Sequence, residues 1–385
     1  MHVMFIPSWY DNKRNKVHGS FFREQATMLQ SMGIKVTVAY NEIWPINIYK
    51  DIDEKSGLFF EIESGLRTYR YKQFNFLPKN PLMFKLFNKR MEKLYKEIIK
   101  KEGKVDVIHA HSSMWGGISA AYISKKYNIP LVITEHSSVK TSKIMKDSYL
   151  KHIIKSYNSA EKVIAVGSGL KNEIQEFTNR DDIKVIGNLV DLSLFDLKEK
   201  KDNNEFTFFS LAFLEGEKGF DTLIKAFEYK FKDENVKLLI GGAGSQREWL
   251  ENMVREKGLE KQIEFLGALS REEVAKYMNL CDAFVLPSRY ETFGVVYIEA
   301  LASGKPVIGT YNGGAESIIN DKVGIMVPID DEIALGNAMN SIKDNINKYN
   351  SVEIRKYCQE NFSGNIIINK IIDVYKEAIN EYKTN

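Results

Sequence analysis

The sequence predicts an α/β protein made of two doubly wound parallel-sheet domains in tandem, followed by one final helix. Three observations support this fold class. Short apolar runs alternate with longer amphipathic segments along nearly the whole chain of 385 residues, as in parallel sheets wrapped by helices. The length fits two domains of about 100 to 200 residues each. A polar stretch without periodicity, residues 198–204, separates two similar series near the middle of the chain.

The strands are predicted from apolar runs and the helices from apolar residues that recur with a period of 3.6. Together they place a first domain at residues 1–192, a second at 193–365 and a C-terminal helix at 366–385. The predicted strands are His2–Ile6, Lys35–Tyr40, Val105–His109, Leu131–Thr134, Lys162–Val166, Phe206–Leu211, Val236–Ile240, Ile263–Phe265, Ala283–Leu286 and Val307–Gly309. The predicted helices are 20–32, 85–101, 117–127, 220–231, 246–257, 271–279, 295–303, 332–345 and Ile366–Tyr382.

Composition narrows the class of protein. The two cysteines, Cys281 and Cys358, exclude a disulfide scaffold and a multi-cysteine metal site. No apolar run approaches the ~20 residues that span a bilayer, and the first ten residues resemble a core strand rather than a signal peptide. We therefore expect a cytoplasmic protein, with Cys281 as a buried core thiol.

Charge is unevenly distributed. The net charge is +3, but residues 1–192 hold 30 lysines and arginines against 20 acidic residues, and the remainder is net negative. Residues 72–104 are the most basic stretch, and apolar residues are interleaved with its lysines. Such a helix either lies on an anionic membrane surface or packs on the first domain with a charged outer face. No recognition motif for nucleic acid accompanies the charge.

The segment 287–302 carries most of the candidate chemistry. Glu291 and Glu299 have seven residues between them, too far apart on one helix for their carboxylates to share a proton. That spacing suits the two ends of one elongated ligand, although two solvated glutamates are an equally simple interpretation. Thr292-Phe-Gly294 lies where a strand gives way to a helix, and the free N–H groups there favour a phosphate.

Three histidines form a second candidate group. His109 and His111 lie on one face if their strand continues, and His136 follows the next strand. Three imidazoles can hold zinc, but no H-E-x-x-H pattern accompanies them, so we expect no metal site and a structural role for His109.

Glycine-rich turns add weaker signals. Gly242-Ala-Gly244 lacks the third glycine of a dinucleotide-binding loop, which argues against an NAD enzyme. Gly19 follows the first strand at the start of a helix, where the backbone can approach an anion closely.

Several of these motifs, in this order, resemble those of retaining GT-B glycosyltransferases of family 4. Glu291 to Glu299 resembles the family's E-x7-E element, and the resemblance extends over nearly the whole chain. It includes Ile186-Gly-Asn-Leu-Val-Asp191, Glu217-Lys-Gly-Phe-Asp-Thr-Leu-Ile-Lys-Ala226, Ile240-Gly-Gly-Ala-Gly244, Ala302-Ser-Gly-Lys-Pro-Val307 and Asn312-Gly-Gly-Ala-Glu-Ser317. The resemblance implies the GT-B fold, with a cleft between the domains and a last helix that crosses back onto the first.

The resemblance also implies roles for individual residues. Glu291 would orient the donor sugar, and His136 would lie beside it; these two are the predicted catalytic residues. Lys218 would neutralise the diphosphate, and Glu299 would hold the ribose hydroxyls. The other predicted donor-binding residues are Gly19, Asn188, Phe293 and Gly294, and His111 is the predicted acceptor-binding residue.

One position departs from the family pattern. An arginine commonly precedes the lysine by five residues, but Phe213 stands there. Either Arg23 or Arg289 could substitute for the missing cation. Alternatively, Phe213 is only a packing residue of a buried strand, since its surroundings are apolar.

The activity implied is transfer of a sugar from a nucleoside diphosphate sugar, such as a UDP- or GDP-sugar, to an acceptor hydroxyl with retention of configuration. Neither a cofactor nor a metal is expected, and the acceptor would be a glycan or a lipid-linked glycan of surface polysaccharide or glycolipid synthesis. Two alternatives stay open: a sugar-nucleotide epimerase of the same fold, and a catalytically weak sugar-nucleotide binding protein.

Overall fold

A computed structural model of the chain describes residues 1–13, 19–141, 146–197 and 205–384. The predicted linker at 198–204 lies outside these ranges, as do residues 14–18 of the loop that precedes Gly19. Contacts between Cα atoms divide the chain into unit 1, Met1–Gly187 with Ile367–Asn385, and unit 2, Asn188–Ile366.

Unit 1 contains an eight-stranded sheet in which every neighbouring pair is parallel except the edge pair β3–β4. The strand order is β3-β4-β2-β1-β5-β6-β7-β8. The strands are β1 (His2–Pro7), β2 (Lys35–Trp44), β3 (Gly57–Glu63), β4 (Leu66–Phe74), β5 (Val107–His111), β6 (Leu131–Glu135), β7 (Lys162–Ala165) and β8 (Lys184–Val185). The helices are α1 (Ser20–Ser31), α2 (Met83–Glu102), α3 (Ile118–Tyr127), α4 (Asp147–Asn158) and α5 (Ser168–Phe177).

Unit 2 contains a six-stranded parallel sheet with the order β11-β10-β9-β12-β13-β14. The strands are β9 (Phe206–Leu211), β10 (Val236–Gly241), β11 (Ile263–Gly267), β12 (Ala283–Leu286), β13 (Val307–Thr310) and β14 (Gly324–Val327). The helices are α6 (Phe220–Phe231), α7 (Arg247–Lys257), α8 (Arg271–Leu280), α9 (Val295–Ala302), α10 (Glu332–Asp344) and α11 (Ser351–Phe362).

The last helix, α12 (Gly364–Thr384), begins in unit 2 and returns the chain to unit 1, as the sequence predicts. Its Tyr375 hydroxyl lies 2.6 Å from Nδ1 of His109 in the centre of the unit 1 sheet. The structural role expected for His109 is therefore confirmed, because its other ring nitrogen is hydrogen-bonded to Thr134.

The doubly wound order decides where a ligand can bind in each unit. In such sheets the strand order reverses between two central strands. The loops after these two strands run to opposite faces of the sheet, which leaves a crevice at the carboxyl ends of the strands. In unit 1 this switch point lies between β1 and β5, and in unit 2 it lies between β9 and β12. Among the residues predicted from the sequence, Gly19 follows β1, His111 ends β5, Lys218 follows β9 and Glu291 follows β12.

Candidate active site

The unit 2 switch point is bridged by an ion pair between the loops that follow its two central strands. Lys218, in the loop after β9, places Nζ 2.7 Å from Oε1 of Glu291, in the loop after β12. The same oxygen accepts a hydrogen bond of 2.9 Å from the Ser288 hydroxyl. Oε2 of Glu291 accepts no hydrogen bond from any described residue, so this oxygen can take a hydroxyl of a ligand.

Backbone packing fixes these two loops against each other. A Cβ atom on Gly219 would lie 2.2 Å from the carbonyl oxygen of Pro287, so only glycine fits where the β9 loop meets the β12 loop. Gly219 is also in the left-handed region, with φ of 69°, and it is the N-cap of α6. Lys218 is therefore held at the switch point by a backbone that other residues cannot adopt.

Glu291 is held from its other side by the loop after β13. The amide of Glu291 donates to the carbonyl of Asn312 at 3.3 Å, and the Asn312 side chain accepts hydrogen bonds from the amides of Gly314 and Ala315. A Cβ on Gly314 would lie 2.7 Å from the amide nitrogen of Phe293. The glycine pair of this motif thus supports the first glutamate of the E-x7-E element.

Helix α9 begins directly after this loop. Its N-cap, Gly294, has φ of 93°, and a Cβ there would collide with the ring of Tyr297. The amides of Phe293 and Gly294 donate no hydrogen bond to any described residue. They remain candidates for an anion at the positive end of the helix.

Glu299 lies inside α9 and is only 3% exposed. It forms an ion pair with Arg271, the first residue of α8, whose guanidinium also lies over the ring of Phe195 at 5.1 Å from its centroid. A buried carboxylate needs such a partner, because desolvation of an unpaired charge is costly. The contact between Arg271 and Glu299 is not predictable from the sequence, because nothing local to either residue indicates that α8 and α9 bring them together.

Both arginines that were predicted as substitute cations already form ion pairs. Arg289 donates to Asp330, Asp221 and the carbonyl of Gly216, and the two carboxylates raise its pKa. Arg23 is paired with Asp11 and lies over the ring of Tyr10 in unit 1. Both arginines therefore have structural partners.

Phe213 is not a packing residue of a buried strand, and that interpretation is wrong. Strand β9 ends at Leu211, and the Phe213 side chain is 74% exposed in the loop that also carries Lys218. The amide of Leu214 donates to the carbonyl of Ala243 in the glycine turn after β10, and the Leu214 side chain is buried. The adjacent Phe213 side chain is therefore directed outward.

Histidine and phenylalanine side chains pack together near the unit 1 switch point, whereas the unit 2 switch point has an ion pair. Nδ1 of His111 lies 3.1 Å from Nε2 of His136, and the ring of Phe22 in the first turn of α1 lies about 5 Å from both. His111 is fully buried, and burial holds its pKa well below the usual value, so the ring is neutral. His136 is also largely buried.

These histidines do not converge on a common point. His109 directs its nitrogens to Tyr375 and Thr134, whereas His111 and His136 direct one nitrogen each at the other. No group of three or more histidine, cysteine or acidic residues in the described ranges could hold a metal ion.

Sequence analysis also missed Glu135, a buried carboxylate at the end of β6. One of its oxygens accepts from the amides of His136 and Ser137, and the other from the amide of Ser113 and the hydroxyl of Tyr157. Burial and the adjacent carboxylate raise the pKa of Tyr157 well above its usual value, so its hydroxyl remains a donor. Glu135 therefore fixes the loops after β5 and β6, and with them His136.

Two other predicted positions are placed more simply. Gly19 has φ of 77° and is the N-cap of α1 beside the carbonyl of Trp9, so a side chain does not fit there. Asn188 is buried and begins unit 2. Cys281 is fully buried, as the sequence predicts.

Comparison with known proteins agrees with this geometry. Residues 194–363 match the family model described as glycosyl transferases group 1, and residues 19–194 match the model described as glycosyltransferase family 4. An uncharacterized glycosyltransferase of Methanocaldococcus jannaschii is 36% identical over 272 residues, which cover 70% of this chain and 72% of that protein. The alpha-monoglucosyldiacylglycerol synthase of Streptococcus pneumoniae is 25% identical over 304 residues, 70% of this chain and 68% of that protein.

A solved structure extends the similarity to the whole fold. Anabaena HepE in complex with UDP and glucose superposes with a TM-score of 0.73 at 19% identity, covering 98% of this chain and 99% of that one. Together with the family models, this likeness accounts for both doubly wound units. The chain therefore belongs to the group 1 glycosyltransferases of family 4 type, and its fold is GT-B.

Proposed function

We propose that this protein is a retaining glycosyltransferase that moves a sugar from a UDP- or GDP-sugar to an acceptor hydroxyl in the synthesis of a surface polysaccharide or glycolipid. The observation that carries the proposal is the Lys218–Glu291 pair across the unit 2 switch point. It places a cation and a carboxylate where a doubly wound domain binds nucleotides. The complex of HepE with UDP and glucose supports a nucleotide-sugar donor.

Each residue then has a role that its contacts permit. Lys218 has three N–H donors, and those not used by Glu291 bind the diphosphate together with the amides of Phe293 and Gly294. Oε2 of Glu291 accepts a hydroxyl of the transferred sugar. Glu299 binds the ribose hydroxyls while it stays ion-paired with Arg271.

The reaction breaks the bond between the anomeric carbon and the leaving phosphate oxygen and forms a bond to the acceptor oxygen on the same face. The acceptor's proton passes to the leaving phosphate, which is stabilised by Lys218 and the helix α9 amides. Charge neutralisation by these groups is the reason to propose a reaction without a metal ion. The roles predicted for His136, Gly19, Asn188 and His111 stay predictions.

The test is nucleotide binding followed by turnover. Calorimetry with UDP, GDP, ADP and dTDP is compared between the wild type, Glu299→Gln and the control Glu272→Gln, an exposed glutamate on α8. We expect one nucleotide to bind clearly and to lose about tenfold in affinity only in Glu299→Gln, because a charge-assisted hydrogen bond is removed.

Turnover of the matching nucleotide sugar then decides the reaction type. Product that appears only with an acceptor supports transfer, and product without an acceptor identifies an epimerase. Absence of binding by all four nucleotides would overturn the donor assignment.

We further propose that unit 1 contacts an anionic membrane surface through α2, where a lipid-linked acceptor would be reached. The apolar face of α2 packs on β2, β4 and α3, so it does not face a bilayer. Its outer face presents lysines spaced three or four apart, and Phe76 and Leu82 beside its start are 55% and 50% exposed. The stripe consists of Lys85, Lys89, Lys93, Lys96 and Lys100.

Each lysine near an anionic surface contributes about 1 kcal/mol of electrostatic attraction. The exposed side chains of Phe76 and Leu82, beside the start of α2, add apolar contact. No helix of the described ranges has the length and apolarity to cross a membrane. The synthase from Streptococcus pneumoniae, whose name denotes a glycolipid product, adds support for a lipid-linked acceptor.

Sedimentation with phosphatidylglycerol vesicles and with phosphatidylcholine vesicles tests the membrane contact. We expect binding to the anionic vesicles alone, weakened by salt and abolished in the triple variant Lys85→Glu, Lys89→Glu, Lys93→Glu. The control carries three substitutions of exposed lysines in unit 2: Lys225→Glu, Lys261→Glu, Lys276→Glu. Equal loss in both variants, or no binding at low salt, would contradict the proposal.

A further inference from the structure

Unit 2 contains a second recess, away from the switch point. A cavity of about 400 Å³ lies along β14, the edge strand of the sheet, within the roughly 300–1,000 Å³ range of small-molecule sites. Strand β14 is two strands from β12, or about 10 Å across the sheet. The residues of the Lys218–Glu291 pair do not line it.

The charges in the wall restrict the ligand. Two carboxylates, those of Glu316 and Asp321, are among the lining residues, and no lysine or arginine is. Both oxygens of Glu316 accept hydrogen bonds from the Gly313 amide at 2.9 and 3.0 Å, which holds its charge in place. Such a wall repels phosphates, so a nucleotide or a phospholipid headgroup does not fit.

The uncharged part of the wall has two amphipathic rings. Tyr311 is 58% exposed, and Tyr349 is half-buried, with burial and the nearby Asp321 carboxylate raising the pKa of its hydroxyl. Ile325 and Met326 of β14 add apolar surface between them. Tyrosine presents an apolar face with a hydrogen-bonding tip, and a pyranose presents an apolar C–H face edged by hydroxyls. Carboxylate oxygens accept from two such hydroxyls at once.

The cavity is joined to the reaction site by one loop. Residues 311–317 contribute Tyr311 and Glu316 to the cavity, and the same loop contacts the backbone of Glu291 through Asn312 and Gly314. A ligand held here is close in the fold to the loop that carries Glu291, but it is separate from the donor.

We infer that this cavity is a binding site for a neutral hexose unit of the acceptor or product glycan. The inference rests on the proposed function, because a glycosyltransferase that extends a glycan gains from holding the chain at a second point, where it raises the local concentration of acceptor ends. Tyr311 is the stacking residue, and Asp321 is the hydroxyl acceptor.

The probes are three short oligosaccharides of different charge, observed by saturation-transfer NMR and calorimetry. Maltotriose and cellotriose are neutral, and the trimer of glucosamine is cationic near neutral pH. Tyr311→Ala removes the ring, Asp321→Asn keeps the shape but removes the charge, and Tyr229→Ala is the control, an equally exposed tyrosine on α6. UDP binding is measured in every variant to report on the donor site independently.

We expect at least one neutral trisaccharide to bind, with affinity about tenfold weaker in Tyr311→Ala, which corresponds to about 1.4 kcal/mol, and unchanged in Tyr229→Ala. UDP affinity is expected to be the same in all three. Preferential binding of the glucosamine trimer would overturn the assignment to a neutral sugar. Absence of binding by every trisaccharide, or binding insensitive to both cavity variants, would overturn the site, while intact UDP binding would leave the proposed function standing.

Discussion

Units 1 and 2 have the same doubly wound arrangement but opposite chemistry at their switch points. Unit 1 joins the loops after β1 and β5 with neutral contacts: Ser8 donates to the carbonyl of Ser112 and accepts from the amide of Gly116, beneath a cluster of aromatic and imidazole rings. Unit 2 joins the loops after β9 and β12 with an ion pair. The topology therefore decides where side chains meet, and the loop sequences decide what they can bind.

The two sites also differ in the charge of their side chains. In unit 1, burial lowers the pKa of His109 to about 3 and holds that of His111 well below its usual value, so both rings are neutral. In unit 2, the Lys218 ammonium and the Glu291 carboxylate form an ion pair. A site of neutral rings suits uncharged sugar, whereas a paired cation suits a diphosphate leaving group.

The largest expected effect comes from removing the cation of unit 2. Lys218→Ala should lower turnover by about 10²–10³-fold, the cost of deleting one preorganised charge at a developing anion. Steady-state transfer with the identified donor measures it, and Lys225→Ala on the exposed face of α6 is the control. Turnover within a factor of two of the wild type would contradict the role given to Lys218.

The second prediction concerns the neutral rings of unit 1. The pKa of folded His109 is about 3 and that of an unfolded histidine about 6.5, so between these values only the unfolded chain binds the proton. The stability contributed by the neutral ring is thus complete above about pH 6.5 and is lost as the pH falls towards 3, at about 1.4 kcal/mol per pH unit.

Urea unfolding of wild type and His109→Gln at several pH values measures this dependence. The variant should be less stable at neutral pH and show a shallower loss in acid. His152→Gln, at a partly exposed site where burial also lowers the histidine pKa, should change the slope less than His109→Gln. An unchanged slope in His109→Gln would show that other groups govern acid unfolding.

The third prediction tests whether backbone packing sets the position of Glu291. Gly314 has φ of −113°, which any residue adopts, but a Cβ there would lie 2.9 Å from the carbonyl of Glu291. Gly314→Ala should therefore displace this loop and lower turnover by about tenfold or more with the fold retained. In the control Gly216→Ala the nearest atom is the flexible side chain of Gln246 at 3.4 Å, and near-normal rates are expected.

The smallest expected effect sharpens the comparison with the family pattern. Phe213→Arg restores a cation to the exposed loop of Lys218 and should raise UDP affinity by a few fold, with a gain that shrinks as salt rises. Trp249→Arg, at a half-exposed aromatic on α7, adds the same charge elsewhere in unit 2. Equal gains in both variants would show a general charge effect instead of a specific contact.

Much of the fold was predictable because parallel strands buried on both faces are short apolar runs. The ten predicted strands match β1, β2, β5, β6, β7, β9, β10, β11, β12 and β13, with ends shifted by up to a few residues. Strands β3, β4, β8 and β14 were missed. Strands β8 and β14 are only two and four residues long, and the charged residues of β3 and β4 do not look buried. Arg70 of β4 is nevertheless enclosed by Glu42 and Glu63, partners that only the folded sheet supplies.

Helices α4, α5 and α11 were also missed. The period of 3.6 is weak in α11, but α4 and α5 are clearly amphipathic, so the signal for these two short helices was present in the sequence and was not used. Packing against the sheets and α9 stabilises them, and packing is not visible in a local window.

The sequence by itself determined the doubly wound class, the last helix and the chemical identity of the switch-point residues, since motif spacing and hydrophobic period are local properties of the chain. Tertiary structure alone decided which of these residues meet. It pairs Lys218 with Glu291 across 73 positions and Glu299 with Arg271. It also pairs Arg23 with Asp11 and Arg289 with Asp221, and it exposes Phe213. Contacts between distant segments depend on how strands and helices pack, and the residues of a short motif do not indicate which distant residue they will contact.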